Sequence, residues 1–201
     1  MRILGNTKTN KDRIFKTAIS LFSAKGFRGT SIRDIANEMH ISISNIYHHF
    51  GNKEGLLVAI LAHSSERLIE NLKEVSEQAL PPKVKLKKLL ETHILLAGTY
   101  TEETKIFFLD EEHLSDEGAA INRKIQRQIY GFYKNVLQEL DDEGLIECRS
   151  IKVLAFNIFG VINWQLRWYR TDGPLSFEEI KEEVVSFIMK GVFGTTEKTE
   201  E

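Results

Sequence analysis

Apolar residues recur at helical spacing along almost the whole chain. Ile14, Phe15, Ala18, Leu21 and Phe22 fall on one face of a helix predicted from about Asn10 to Lys25. Asn10 can cap that helix and Gly26 can stop it. Ile32, Ile35, Ala36 and Met39 repeat the pattern in a short second helix. Thr30 or Ser31 would cap it, and Asp34 is placed to complete a capping box. A third short helix is predicted from Ser42 to about His49, broken by Gly51-Asn52. Beyond Lys53 the helices lengthen. Leu56, Leu57, Ile60, Leu61, Leu68, Leu72 and Val75 line one that reaches about Gln78, before Pro81-Pro82. Others are predicted from Lys83 to Gly98, around Glu102 to His113, from about Gly118 to Gly144, from Ser150 to Arg170 and from Ser176 to Val192. No run alternates at period two between turn signals. The expected fold is all-α, with about nine helices: a three-helix head before Gly51 and a larger helical body.

The composition fits such a body. Of 201 residues, 42% are hydrophobic, enough to bury a core. A single cysteine, Cys148, excludes an intrachain disulfide framework and a Cys-rich zinc site. The most apolar stretch, Val153 to Leu166, is interrupted by Asn157, Asn163 and Gln165 and falls short of the ~20 residues of a membrane span. A cytoplasmic setting without membrane contact is expected. The net charge of −2 argues at first against a nucleic-acid partner, but the sum conceals a split. Residues 1–55 hold nine Lys/Arg against four Asp/Glu, a net of +5, and the rest of the chain carries −7. A basic head joined to an acidic body points to nucleic acid at the basic end.

Within that end, Thr30 to Phe50 reads TSIRDIANEMHISISNIYHHF. Two short helices joined by a tight turn form a helix-turn-helix, whose second helix enters the DNA major groove. Ala36 is small where the helices would cross, and Ile41 is an apolar plug beneath the turn. Ser42 leaves helix N-terminal amides near a phosphate. Ile43, Ser44 and Asn45 stand on the first exposed turn, within reach of base edges. Tyr47, His48, His49 and Lys53 offer donors to phosphates. Adjacent helical positions point about 100° apart, so His48-His49 is read as a phosphate contact, with no metal expected.

The segment closely resembles the TetR family of bacterial transcription regulators. The resemblance lies in Gly26, in Thr30-Ser31-Ile32-Arg33-Asp34-Ile35-Ala36, and in Ile46-Tyr47-His48-His49-Phe50 followed by Asn52-Lys53-Glu54. It implies a DNA-contacting set of Arg28, Thr30, Ser31, Ser42, Ile43, Ser44, Asn45, Tyr47, His48, His49 and Lys53. Two positions depart from the family pattern. His40 stands where glycine is usual, in a turn that often needs positive φ, and Gly55 stands where a stronger helix former is preferred. The implied layout is a DNA-binding domain over residues 1–52, a ligand-binding and dimerisation domain over 53–194 and a polar tail over 195–201. The implied setting is the cytoplasm of a bacterium or archaeon, nucleoid-associated when on DNA.

In that family the last two helices of each subunit form a dimer interface. The helix from Ser150 to Arg170 is apolar around nearly its whole circumference and needs burial on two sides. Phe156, Phe159, Gly160, Val184, Phe187 and Ile188 are the expected interface residues. A small-molecule effector is expected in the body, with no other cofactor. Asn163-Trp164-Gln165-Leu166-Arg167-Trp168-Tyr169-Arg170 resembles a subgroup that responds to acyl-CoA thioesters in fatty-acid or sterol-ring breakdown. The acyl arm would suit Phe107, Phe108 and Tyr133, with Asn163, Trp164 and Trp168 nearby. Arg123, Arg127, Arg167 and Arg170 would meet the phosphates. The alternative effector is an aromatic or cationic drug, as in efflux regulators, with Asp110-Glu111-Glu112 facing a cation. The expected function is a repressor released from a palindromic operator by its effector. Two other classes compete: a helical enzyme using His93, Glu112 and His113, which no catalytic spacing supports, and a protein-interaction module.

Overall fold

The computed structural model describes residues 10–99, 114–169 and 172–194, which form eight α-helices and no strand. They are α1 (Asn10–Lys25), α2 (Ile32–Met39), α3 (Ile43–Phe50), α4 (Lys53–Ser76), α5 (Pro82–Thr99), α6 (Asp116–Asp142), α7 (Ile151–Trp168) and α8 (Phe177–Phe193). The all-α expectation holds, and the helix predicted around Glu102 to His113 and the polar tail lie outside the described residues. The chain separates into two units, one of residues 1–64 and 102–123, the other of residues 65–101 and 124–201.

In the first unit the apolar faces read from sequence close on one another. Ile14, Phe15, Ala18, Ile19 and Phe22 of α1 meet Ile32, Ile35, Ala36 and Met39 of α2, Ile46 of α3, and Leu56, Leu57, Ile60 and Leu61 of α4. Full burial stabilises by about 1.5–3 kcal/mol for each large aliphatic or Phe side chain, so this core is what holds three short helices that could not stand alone. Ser31 caps α2 in the predicted box. Its hydroxyl accepts from the Asp34 amide at 3.1 Å, and its own amide donates to Asp34 Oδ2 at 2.7 Å. The bonds from the Ser31 hydroxyl and amide hold the Asp34 carboxyl below its ordinary pKa. α2 ends on His40 in the left-handed region, φ 55° and ψ 41°, which lets the Ile41 amide reach back to Ala36 O at 3.0 Å. The turn thus keeps the glycine geometry with a histidine in it.

Gly55 has a clear reason. A β-carbon there would lie 2.0 Å from the Phe50 carbonyl oxygen, so any larger residue forces the α3–α4 junction apart. The Gly55 amide also donates to Asn52 Oδ1 at 2.7 Å. Next to it, Glu54 accepts the Ser115 amide at 2.6 Å and so fixes the start of α6 to the start of α4.

The second unit is built around a row of inward residues on each helix. Leu86, Leu89, Leu90 and Ile94 of α5 pack with Tyr133, Val136, Leu137 and Leu140 of α6, Ala155, Ile158 and Ile162 of α7, and Val185, Ile188 and Val192 of α8. Pro82 opens α5 at the first helical position, where its missing N–H costs nothing. Ser176 and Glu179 form a second capping box at the start of α8. The Phe177 ring lies against Gly98, where a β-carbon would approach it to 2.0 Å, so α5 and the start of α8 touch closely.

Candidate nucleic-acid interface

α3 is anchored from below by fully buried Ile46, with Ile43 and Phe50 half-buried against the same core. That anchoring turns its other side outward. Ser42, Ser44, Tyr47, His48 and His49 are exposed, and Arg28 is exposed in the turn before α2. Ser42 occupies the N-cap, but its hydroxyl makes no cap bond. Hydroxyls, a phenol and two imidazoles therefore share the outward side of α3, each able to bond a phosphate or a base edge, and Arg28 offers a guanidinium from the turn before α2. The two histidine rings meet edge to face at 5.3 Å, and no group of metal-ligating side chains forms among the described residues. Asn45 behaves differently. It is half-buried, with its Oδ1 enclosed and lacking a hydrogen-bond partner.

Three predicted contact residues make hydrogen bonds within the chain itself. Thr30 is buried, and its hydroxyl donates to Gly26 O at 3.0 Å and Leu21 O at 3.2 Å. Ser31 is the α2 cap. Lys53 is half-buried, with its ammonium donating to Phe27 O at 2.7 Å and Thr30 O at 2.9 Å. Periodicity assigns these positions to loops and helix starts, and nothing in a one-dimensional pattern distinguishes a donor facing outward from one turned onto a carbonyl.

The predicted effector residues scatter. Tyr133 is fully buried, and its hydroxyl donates to Leu89 O at 3.2 Å. Trp164 is 64% exposed and Trp168 50% exposed, on the outer side of α7. Arg123 and Arg127 are exposed on α6, and Asn163 is half-buried. Phe107, Phe108 and Arg170 lie outside the described residues, as does the side chain of Arg167. Of the predicted interface residues, Phe156 and Gly160 face outward, Phe187 is 66% exposed, and Phe159 and Val184 are half-buried. Ile188 is 4% exposed and belongs to the chain's own core, because it stands one position round α8 from Phe187.

The interior holds polar groups that sequence reading passed over or put to other use. His93 Nδ1 lies 3.1 Å from the Tyr133 hydroxyl, and with that hydroxyl donating to Leu89, Nδ1 carries the imidazole proton. Burial holds the His93 pKa down at about 4, so the ring is neutral. Gln165 is 2% exposed, with neither amide atom hydrogen-bonded. The signal was present in the spacing: Gln165 continues the buried row Ala155, Ile158, Ile162, and His93 continues Leu86, Leu89, Leu90. Polar residues on an apolar row are the ones to note.

Comparison with known proteins agrees with this layout. Residues 14–60 match the family model described as bacterial regulatory proteins, tetR family, and residues 79–192 match the tetracyclin repressor-like C-terminal domain. The chain is 24% identical over 189 residues to the HTH-type transcriptional repressor KstR2 of Mycolicibacterium smegmatis, covering 92% of this chain and 91% of the relative. It is 22% identical over 187 residues to the fatty acid metabolism regulator protein of Bacillus subtilis, covering 90% and 94%. The structure of AibR in complex with isovaleryl coenzyme A and operator DNA superposes with a TM-score of 0.80 at 25% identity, over 92% of this chain and 98% of that one. The protein is a member of the TetR family of transcriptional regulators.

Proposed function

We propose that the protein is a homodimeric repressor that reads a palindromic operator with α3 and leaves it when an acyl-CoA occupies the second unit. Residues 1–52 carry the DNA contacts in this reading, supported by the start of α4 in the same core. Residues 53–194 take the effector and the partner chain. The observation that carries it is the outward face of α3: Ser42, Ser44, Tyr47, His48 and His49 are exposed on a segment whose opposite face is fixed by Ile46. Ser42 and Ser44 read bases, and the longer donors hold phosphates. Two half-sites require two readers. The second copy is supported by an apolar row on α7 and α8, where Val153, Phe156, Trp164, Trp168 and Phe187 are exposed.

An acyl-CoA is supported by the AibR structure and by the interior of the second unit. Gln165 presents one buried donor and one buried acceptor without partners, and a buried amide left so costs about 1–3 kcal/mol. A thioester carbonyl and an amide N–H of an acyl-CoA complement that pair. The effector acts by binding the DNA-released conformation more tightly than the DNA-bound one.

The test starts with a duplex selected by the purified protein from a random-sequence pool. Isovaleryl-CoA, longer acyl-CoAs and free coenzyme A are then titrated into the complex. Release by an acyl-CoA and none by free coenzyme A is expected. Failure to select any duplex would remove the DNA reading. Selection without release by any acyl-CoA would remove the effector class alone.

A further inference from the structure

We infer that the effector is a hydroxylated acyl-CoA, and that the hydroxyl on its acyl portion donates to His93 Nε2 in the interior of the second unit. This rests on the acyl-CoA reading above. His93 is buried on α5 among aromatic rings, with Phe159 edge-on at 6.2 Å and Tyr133 tilted against it at 5.8 Å. Two bonds set where its proton sits. The Tyr133 hydroxyl has one proton and gives it to Leu89 O at 3.2 Å, so it accepts from His93 Nδ1 at 3.1 Å. Burial keeps the ring neutral, with a pKa of about 4. A neutral imidazole protonated at Nδ1 has a bare lone pair at Nε2. No hydrogen bond from the described residues reaches that nitrogen.

The leftover acceptor selects what can lie beside it. A plain hydrocarbon would cover the nitrogen without supplying a donor, which a buried acceptor resists. A cation would bring a charge, and no acidic side chain is buried in this unit among the described residues. A carboxylate would meet a lone pair in place of a proton. The pantetheine arm of CoA would bring amides with more polar atoms than one nitrogen can serve. A hydroxyl on an otherwise apolar chain brings one donor to one acceptor. Gln165, proposed above to meet the thioester, follows Phe159 on α7 by about 9 Å of helix axis. The amide and the imidazole are therefore separate points, and the hydroxyl belongs along the acyl chain, away from the thioester.

The experiment uses the full chain without DNA and reads binding by calorimetry. The probes are octanoyl-CoA and its monohydroxy analogues, with the hydroxyl moved stepwise from beside the thioester to the far end of the chain. An analogue hydroxylated away from the thioester is expected to bind about tenfold or more tighter than octanoyl-CoA, as for a site built to receive a hydroxyl. His93→Phe keeps a ring and removes Nε2, and that preference is expected to vanish in it. Equal binding of all probes by the wild type, a preference for the hydroxyl beside the thioester, or a preference that survives in His93→Phe overturns the inference and leaves the acyl-CoA reading standing. Binding of no probe by the wild type removes the acyl-CoA reading and the inference with it. Should His93→Phe fail to fold, the wild type decides. In nitrogen-15 spectra at neutral pH, His93 Nε2 is expected at the frequency of an unprotonated imidazole nitrogen. It is expected to move toward lower frequency with the preferred hydroxylated analogue and to stay with octanoyl-CoA. A protonated Nε2 in the free protein, or the same movement with both probes, overturns it.

Discussion

The two units differ in the apolar side chains they leave exposed and in the polar groups they enclose. In the first, the apolar side chains are inside and most polar ones are paired locally or exposed. Ser31 bonds Asp34, Thr30 bonds two carbonyls, Glu54 caps α6, and the donors of α3 face outward. In the second, His93, Tyr133 and Gln165 are buried, while Val153, Phe156, Trp164, Trp168 and Phe187 stand in solvent. A fold does not gain stability by enclosing an unpaired amide and exposing two tryptophans. The second unit makes physical sense when something covers the outer row and something meets the inner amide. Substitutions on the outer row and at the inner amide break that difference.

The largest effect is expected where the outer row is broken. Phe187 is 66% exposed, so Phe187→Asp changes the stability of an isolated chain little, within about 0.5 kcal/mol. If the row receives a second copy, the same change places a charge in an apolar interface. Sedimentation equilibrium is then expected to show the monomer mass, and affinity for a two-half-site duplex to fall by about a hundredfold or more as avidity is lost. A dimer that persists would show that the row is covered by something else.

The inner side is probed by pH. The His93 pKa is held down at about 4 from 6.5, so the unfolded chain takes up this proton first as pH falls. The contribution is whole above pH 6.5 and is lost as pH falls toward 4, an amount of about 3 kcal/mol. Urea unfolding of wild type and His93→Phe across that window separates this from carboxylates such as Asp34 and Glu179, which titrate in both proteins. The stability difference is expected to move by that amount in favour of the variant; parallel curves would mean that the imidazole titrates freely.

Gln165→Leu should act more weakly and in an unusual direction. Removing an amide whose atoms are both unpaired is expected to stabilise the effector-free protein by about 1–3 kcal/mol, read as a rise in Tm. Release by acyl-CoA should weaken in the same variant. A loss of stability would mean that the amide is satisfied in solution, for example by water.

These contrasts also show what a sequence can carry. The inward rows were legible because each fixes a helix face, so α1, α2 and α4 fell where predicted; spacing left Thr30 or Ser31 as the cap of α2, and the fold selects Ser31 with Asp34. The motif around α3 lies in the stretch that matches the family model, residues 14–60. Side-chain direction was not legible. Lys53 and Thr30 are donors in a basic segment, and only the folded turn brings carbonyls to them. Trp164 and Trp168 are expected at the effector because the segment from Asn163 to Arg170 resembles the acyl-CoA-responsive subgroup, and at helical spacing they share the outer side of α7 with Phe156. Ile188 and Phe187 are neighbours in sequence and face opposite surroundings for the same reason.

The smallest effect belongs to the first unit, at the turn after α2. His40 is the one non-glycine residue at positive φ among the described residues, at 55°. A β-carbon in that region costs about 1–2 kcal/mol, part of which glycine returns to the unfolded chain as entropy. His40→Gly is therefore expected to stabilise the fold by about 1 kcal/mol or less, with operator affinity unchanged, since His40 ends α2 and the proposed reading face lies on α3. Thermal unfolding and a binding titration on the selected duplex check both parts. If affinity falls although stability rises, the imidazole itself touches DNA, and the reading surface extends across the turn. If both are unchanged, the left-handed turn is held without strain by the bond from the Ile41 amide to Ala36 O.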